Sequence, residues 1–274
     1  MEINYISIYD NTAQAKFLFV SESVTEVLGF RPQELIGEDG YDLTHPDERD
    51  ALSLIHSVNV KYERMSTITS YRSRHKDGHY VQLETVVHYC YDVLICTNFA
   101  IVSPDCVKHK MRQHSADEAF IIHPDGTLQI DGVAWNDTQD RIKKILIEKY
   151  PWDTTNNKVT HIKQEPRFCL FINRYTIKST IVFATEMIES MVGGSQVDCI
   201  GESLYNYIAP KDRENVMKLI EVSKSTDMIN RIRFDWLKSD GTSVPLEAVV
   251  SCTYDGLVMV ARVSTSFITI NTST

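Results

Sequence analysis

FLFVSESVTEVLGFRPQELIGEDGYDLTHPDERDALSLI, residues 17–55, meets a second version of itself in IVFATEMIESMVGGSQVDCIGESLYNYIAPKDRENVMKL, residues 181–219, without a gap. Ile36-Gly37-Glu38 falls on Ile200-Gly201-Glu202, Tyr41 on Tyr205, Pro46 on Pro210 and Arg49 on Arg213, each 164 residues on. After one deletion the register resumes at 163, with Asp77-Gly78 on Asp240-Gly241, Val81 on Val244 and Glu84 on Glu247. A solenoid repeats every ~20–50 residues, so a period this long means two copies of one domain. The 274 residues hold them comfortably, at roughly 100–200 per domain.

Within each copy the signals follow one order. A β-rich segment comes first, Asn4 to Val20 and Phe168 to Ala184. Short helices follow, with Ser21 or Ser23 placed to cap the turn before Val24, Val27 and Leu28. Pro46, with Asp47 and Glu48 behind it, opens the longest helix, since a fixed φ and negative charge both favour a helix N-terminus. Leu52, Ile55 and Val58 or Val60 give that helix its apolar face, as Val216, Leu219, Ile220 and Val222 do in the second copy. Three strands close each domain: Arg64 to His75, His79 to Tyr91 and Asp92 to Val102, then Arg231 to Lys238, Thr242 to Tyr254 and Asp255 to Ser264. Asp-Gly turns at 77–78 and 240–241 mark the hairpins.

Alternation in the middle strand puts Val81, Leu83, Thr85, Val87 and Tyr89 on one face, matched by Val244, Leu246, Ala248, Val250 and Cys252. The other face is mixed, with Gln82, Glu84, Val86 and His88 against Pro245, Glu247, Val249 and Ser251. Pro245 has no N–H for a ladder, so a bulge or strand end is expected there.

With 43% apolar residues, 24% charged and a net charge of −9, the composition is that of a globular protein. It offers no general attraction for phosphate backbones, and direct nucleic-acid binding is not expected. No apolar run approaches the ~18 residues of a membrane span, and the N-terminus lacks the order of a signal peptide. The expected location is intracellular, cytoplasmic or nuclear. Cys90, Cys96, Cys106, Cys169, Cys199 and Cys252 are widely spaced without a CxxC pair, so they read as free thiols rather than zinc ligands. No metal site is expected from them.

The division reads as a first domain over 1–105, a connector over 106–165, a second domain over 166–266 and a tail over 267–274. The connector is too long to lack structure. Phe120-Ile121-Ile122, Pro124-Asp125-Gly126, Leu128 and Ile130 suggest a hairpin, and Asn136 or Asp137 caps a helix whose stripe includes Ile142, Ile145, Leu146 and Tyr150.

The order of elements, with Ile36-Gly37, His45-Pro46-Asp47-Glu48-Arg49 and Asp77-Gly78, resembles the PAS domain, and the resemblance covers both copies. In the first copy FVSESVTEVLGFRPQELIG and Leu94-Ile95-Cys96-Thr97-Asn98 look like the PAS domains of basic helix-loop-helix PAS factors and fungal white-collar proteins. The second copy departs at Ala209-Pro210-Lys211 and Gly193-Gly194 and rests mainly on the repeat. The resemblance implies an α+β fold: two five-stranded antiparallel sheets, each with helices on one face around a small cavity, pairing with other PAS domains.

Such a fold serves many functions, so the sites decide. A flavin-binding PAS domain needs a cysteine in an Asn-Cys-Arg setting before the long helix, which Gly37 to Asp50 lacks. His45 and His56 are the haem-ligand candidates, but His45 reads as part of a helix start and His56 as facing solvent or a partner. Neither cofactor is expected. The inward residues Thr69, Tyr71, Leu83, Thr85, Val87, Cys96 and Asn98 mix small and polar with bulky side chains and could line a pocket for a small apolar ligand. Bulkier residues in the second copy imply a filled interior. No phosphate loop, metal cluster or nucleophile elbow is present, so no enzyme is expected.

The leading expectation is a non-catalytic tandem PAS module that acts by protein contact, with itself or another PAS protein. Its candidate faces are Gln82, Val86, His88 and Cys90 on the sheet, and Ile142 and Ile145 on the connector helix. The alternative is a small-molecule sensor in the first domain.

Overall fold

The computed structural model describes residues 2–103, 106–131, 164–226 and 228–264. The connector helix with Ile142 and Ile145, and the tail, lie outside the described residues. In the first copy β1 (Asn4–Asp10) and β2 (Phe17–Val20) are followed by α1 (Val24–Leu28), three single 3₁₀ turns, α2 (Arg49–Tyr62), β3 (Thr67–Arg74), β4 (Tyr80–Cys90) and β5 (Val93–Ala100). The connector supplies α3 (Val107–Ser115), β6 (Glu118–Ile122) and β7 (Leu128–Asp131). The second copy consists of β8 (Arg167–Ile172), β9 (Ile181–Ala184), α4 (Met187–Val192), α5 (Gln196–Cys199), one 3₁₀ turn, α6 (Pro210–Thr226), β10 (Asn230–Leu237), β11 (Ser243–Cys252) and β12 (Leu257–Val263). None of these helices is long and apolar enough to cross a membrane.

The second sheet runs β10-β11-β12-β8-β9, and the first repeats that order as β3-β4-β5-β1-β2, with β6 and then β7 added beyond the β3 edge. The first sheet therefore has seven strands where five were expected. β6 lies parallel to β3, from Thr67 opposite Glu118 to Ser70 opposite Ile121. An open β3 edge would expose a row of unpaired backbone groups, and the connector covers it. The expected hairpin at 124–126 is this β6–β7 pair. Its turn packs so closely on the 3₁₀ turn Pro46–Glu48 that a Cβ at Gly126 would lie 2.3 Å from the Asp47 carbonyl oxygen.

Periodicity places most core residues correctly and misses a few. On α2, Ile55, Val58 and Val60 are buried. On α6 the buried stripe is Val216, Ile220 and Ser223, the spacing of one helix face, and Val222 is exposed. Ser21 and Ser23 do not cap α1. Their hydroxyls instead donate to Asp255 of the second copy, each at 2.6 Å. No bulge or strand end occurs at Pro245: β11 runs through it, opposite Asp235 of β10, and on the other side its carbonyl accepts from the Ser264 N–H at 2.8 Å, so the missing N–H falls just beyond the last β11–β12 pair, Leu246 opposite Val263.

Each copy has its own core between sheet and helices. A third apolar cluster joins them. Ile6, Ile8, Ile68, Val86, Ile95 and Phe99 from the outer face of the first sheet meet Cys169, Phe171, Val249, Val258 and Val260 from the outer face of the second. Fully burying one such aliphatic or aromatic side chain is worth about 1.5–3 kcal/mol. The two sheets thus pack outer face on outer face, each with its helices turned away.

Candidate functional site

Two places stand out: a cavity inside the first copy and the seam between the sheets. The cavity exists because the strands carry small residues where α2 crosses them. Thr69, Thr85 and Asn98 stand opposite one another on β3, β4 and β5, forming a polar row across the inner face. Below α2 this leaves a cavity of about 70 Å³ lined by Tyr9, Ala15, Gly40, Tyr41, Leu52, Ile55, His56, Asn59, Thr69, Tyr71, Thr85, Val87, Leu94 and Cys96. In the second copy the registers put Ile232 where Thr69 stands and Met259 where Cys96 stands, and both are fully buried.

Of the pocket residues read from the sequence, Thr69, Tyr71, Thr85, Val87 and Cys96 line the cavity. Leu83 belongs to the first core. Asn98 sits behind Thr85, accepting its hydroxyl at 2.8 Å and donating to Ser7 Oγ at 2.9 Å. His56 corrects its reading: it faces the cavity, not solvent, and its Nδ1 lies 2.5 Å from the Tyr41 hydroxyl. The signal for this was present in the repeat, because His56 falls on Ile220, a core residue of the second copy.

The lining is mostly apolar, and its few polar groups are uncharged. Burial lowers His56 to about 3 and pushes Tyr71 up to about 12, with Tyr9 and Cys96 also raised by burial. All four are neutral at pH 7, and no Asp, Glu, Lys or Arg reaches the cavity. Thr69 Oγ1 and Asn59 Oδ1 are buried without a hydrogen-bond partner. An unpaired buried acceptor is costly, and a ligand hydroxyl or amide there would relieve that cost.

The seam is as well made as a core. Val86, His88 and Cys90, expected to form an open binding face, are buried between the sheets, while Gln82 stays exposed. The partner of that face is therefore the chain's own second copy. His88 Nδ1 lies 2.9 Å from the Met65 carbonyl and Nε2 lies 2.8 Å from Ser251 Oγ. A carbonyl only accepts, so Nδ1 carries the proton and Nε2 accepts from the serine. Burial lowers His88 to about 4.

Arginines stitch the margins. Arg112 on α3, 1% exposed, bridges Glu84 Oε1 at 2.5 Å and Glu2 Oε2 at 2.8 Å, with its guanidinium 4.0 Å from the Phe99 ring. Arg167 donates to the carbonyls of Arg64 and Tyr89 across the seam, at 3.1 and 3.0 Å. Glu247, the repeat equivalent of Glu84, faces Arg231, Arg233 and Arg262. Burial would raise it, but the hydrogen bonds from Arg262 and Arg231 prevail and hold it at about 2.

Residues 17–93 match the family model described as PAS fold. The first copy matches that family over these residues and the second repeats its strand order, so the chain has the PAS fold twice in tandem. Among known proteins it is similar to Protein cycle of Drosophila melanogaster, 35% identical over 75 residues, which are 27% of this chain and 18% of that protein. Basic helix-loop-helix ARNT-like protein 2 of Mus musculus is 34% identical over 70 residues, 26% of this chain and 12% of that protein. Hypoxia-inducible factor 1-alpha of Gallus gallus is 27% identical over 158 residues, 55% of this chain and 18% of that protein. The chain thus spans less than a fifth of the length of each of these relatives. The solved PAS-B domain of Drosophila Cycle with bound ethylene glycol is 28% identical, covering 35% of this chain and 99% of that one, with a TM-score of 0.32.

Proposed function

We propose that the chain is a non-catalytic regulatory module whose PAS domains work by protein contact, in the manner of basic helix-loop-helix PAS regulators. The observation that carries this reading is the apolar, hydrogen-bonded seam, in which one PAS sheet has another PAS sheet as its binding partner. The similarity of the first copy to Protein cycle and its relatives supports it. In this reading the fixed pair of domains presents its outer surfaces to a further PAS protein or a second copy of itself. Sedimentation velocity of the chain, alone and mixed with a second PAS-domain chain, tests it. A one-to-one complex or a dimer is expected; a monomer in every mixture and at every concentration refutes it.

A second reading has its own observation. The uncharged cavity with unpartnered Thr69 Oγ1 and Asn59 Oδ1 fits a small neutral ligand bearing a hydrogen-bond donor. At about 70 Å³ it holds a few heavy atoms, so a sensor of large apolar molecules is disfavoured. A Thr69→Val variant that loses the ability to retain a small molecule would favour this reading over the first.

A further inference from the structure

The turn joining β3 to β4, His75-Lys76-Asp77-Gly78-His79, gathers two imidazoles and a carboxylate. His75 Nδ1 lies 2.9 Å and His79 Nδ1 2.5 Å from Asp77 Oδ1, and the donor atoms of the three residues all lie within 4.8 Å of one another. We infer that this turn binds a divalent transition-metal ion of the zinc type through His75, Asp77 and His79.

The chain supplies its own comparison. In the β6–β7 and β10–β11 hairpins the aspartate of the Asp-Gly turn accepts the backbone N–H and the hydroxyl of a threonine two residues on, Asp125 with Thr127 and Asp240 with Thr242, whereas in the β11–β12 hairpin Asp255 accepts from Ser21 and Ser23. At the repeat position of the β3–β4 turn, Lys238 stands for His75 and Thr242 for His79. The aspartate and a glycine at positive φ are what the turn needs. It does not need either histidine.

His79 takes the threonine's place in the turn, its N–H 3.2 Å and its Nδ1 2.5 Å from Asp77 Oδ1, but His75 is positioned in a way the turn alone does not explain. The Asp77 N–H donates to His75 Nδ1 at 3.2 Å, so that nitrogen acts as an acceptor, yet it also confronts a carboxylate oxygen at 2.9 Å. Two acceptors this close call for a cation between them, a proton or a metal ion. His75 is held in place by α1, whose terminal Gly29 lies so near that a Cβ there would come within 2.8 Å of the ring. Lys76 is drawn off to Glu34, 2.5 Å from its Nζ, and leaves the cluster free of a competing ammonium.

The fit to a metal requires little movement. Zinc bonds of about 2.0–2.1 Å in a tetrahedron separate the ligand atoms by about 3.4 Å, so the two contacts open by less than an ångström. Asp77 and His79 are more than half exposed and can make that adjustment. Imidazole with carboxylate suits zinc, copper or nickel better than calcium or magnesium. Three protein donors leave the fourth tetrahedral position to water.

The test is isothermal titration of the full chain, free of any histidine tag, with zinc chloride. The control is a His75→Lys, His79→Thr double variant, which copies the second turn and keeps Asp77 and Gly78. Its melting temperature without metal should match the wild type, so a folding defect cannot mimic lost binding. A one-equivalent transition in the wild type that is absent from the variant is expected. A wild type without that transition, or a variant that retains it, overturns the inference.

Discussion

Replacing Arg112 with Met should reveal how firmly the connector is locked to the first sheet. The side chain reaches Glu84 through Nε at 2.5 Å and Glu2 through both terminal nitrogens at 2.8 and 3.2 Å, and Glu84 is fully buried. Methionine keeps the contact with Phe99, because it is long and adaptable, so the loss is chiefly electrostatic. Removing one member of a buried ion cluster costs about 3–5 kcal/mol, because a charge is left uncompensated. At about 2–4 °C per kcal/mol the melting temperature should fall by roughly 10 °C. His109 also contacts Glu84 and limits the loss. Adding Glu84→Gln should recover part of the loss at pH 7. Denaturation followed by circular dichroism at pH 7 is the assay. A variant within about 1 kcal/mol of wild type, typical of an exposed pair, would refute the reasoning.

Other perturbations separate the seam from the cavity. His88 and His56 are lowered to about 4 and about 3 from an ordinary 6.5, so the unfolded chain takes up protons that the folded chain refuses. Stability should fall as pH drops from about 6.5 toward 4, and His88→Gln should flatten that slope by one proton in pH-dependent melting; an unchanged slope would exclude His88 as its source. Val86→Glu puts a carboxylate between the sheets with no partner, and amide hydrogen exchange in β11 and β12 should accelerate; unchanged exchange would mean the sheets are not held together through that face. Thr69→Val removes a hydroxyl that has no partner, so without a ligand it should raise stability by up to about 1 kcal/mol. A loss of more than that in chemical denaturation would show that the hydroxyl already has a partner.

Much of this architecture is legible in the sequence because the chain repeats itself. One copy calibrates the other: the turn at 77–78 and the inward set Leu83, Thr85 and Val87 each have a counterpart 163 residues away. What escapes is set by contacts remote in sequence. The mixed outer face of β4 resembles a half-solvated surface, and nothing local says that Val86 and His88 meet Val249 and Ser251. Arg112 reads as one of a run of basic residues, and its burial depends on Glu2, 110 residues earlier. β6 is a recognisable strand, but its parallel pairing with β3 depends on where α3 turns the chain. His56 is the instructive miss, since helix phase around Leu52 and Ile55 points it outward whereas the repeat places it on Ile220. Only one side of the candidate cavity, the strand side, follows from alternation. The helix side, with His56 and Asn59, follows from how α2 crosses the sheet.

The central claim is that these PAS domains act through protein contact rather than through a resident ligand. Native mass spectrometry of the purified, metal-free chain tests it most directly, because one spectrum reports subunit number and any retained molecule. The account predicts a clean multiple of the 31.4 kDa chain, a dimer at assembly concentrations, with no added mass. A monomer carrying a stoichiometric small molecule that departs on denaturation would contradict it and make the cavity the functional site.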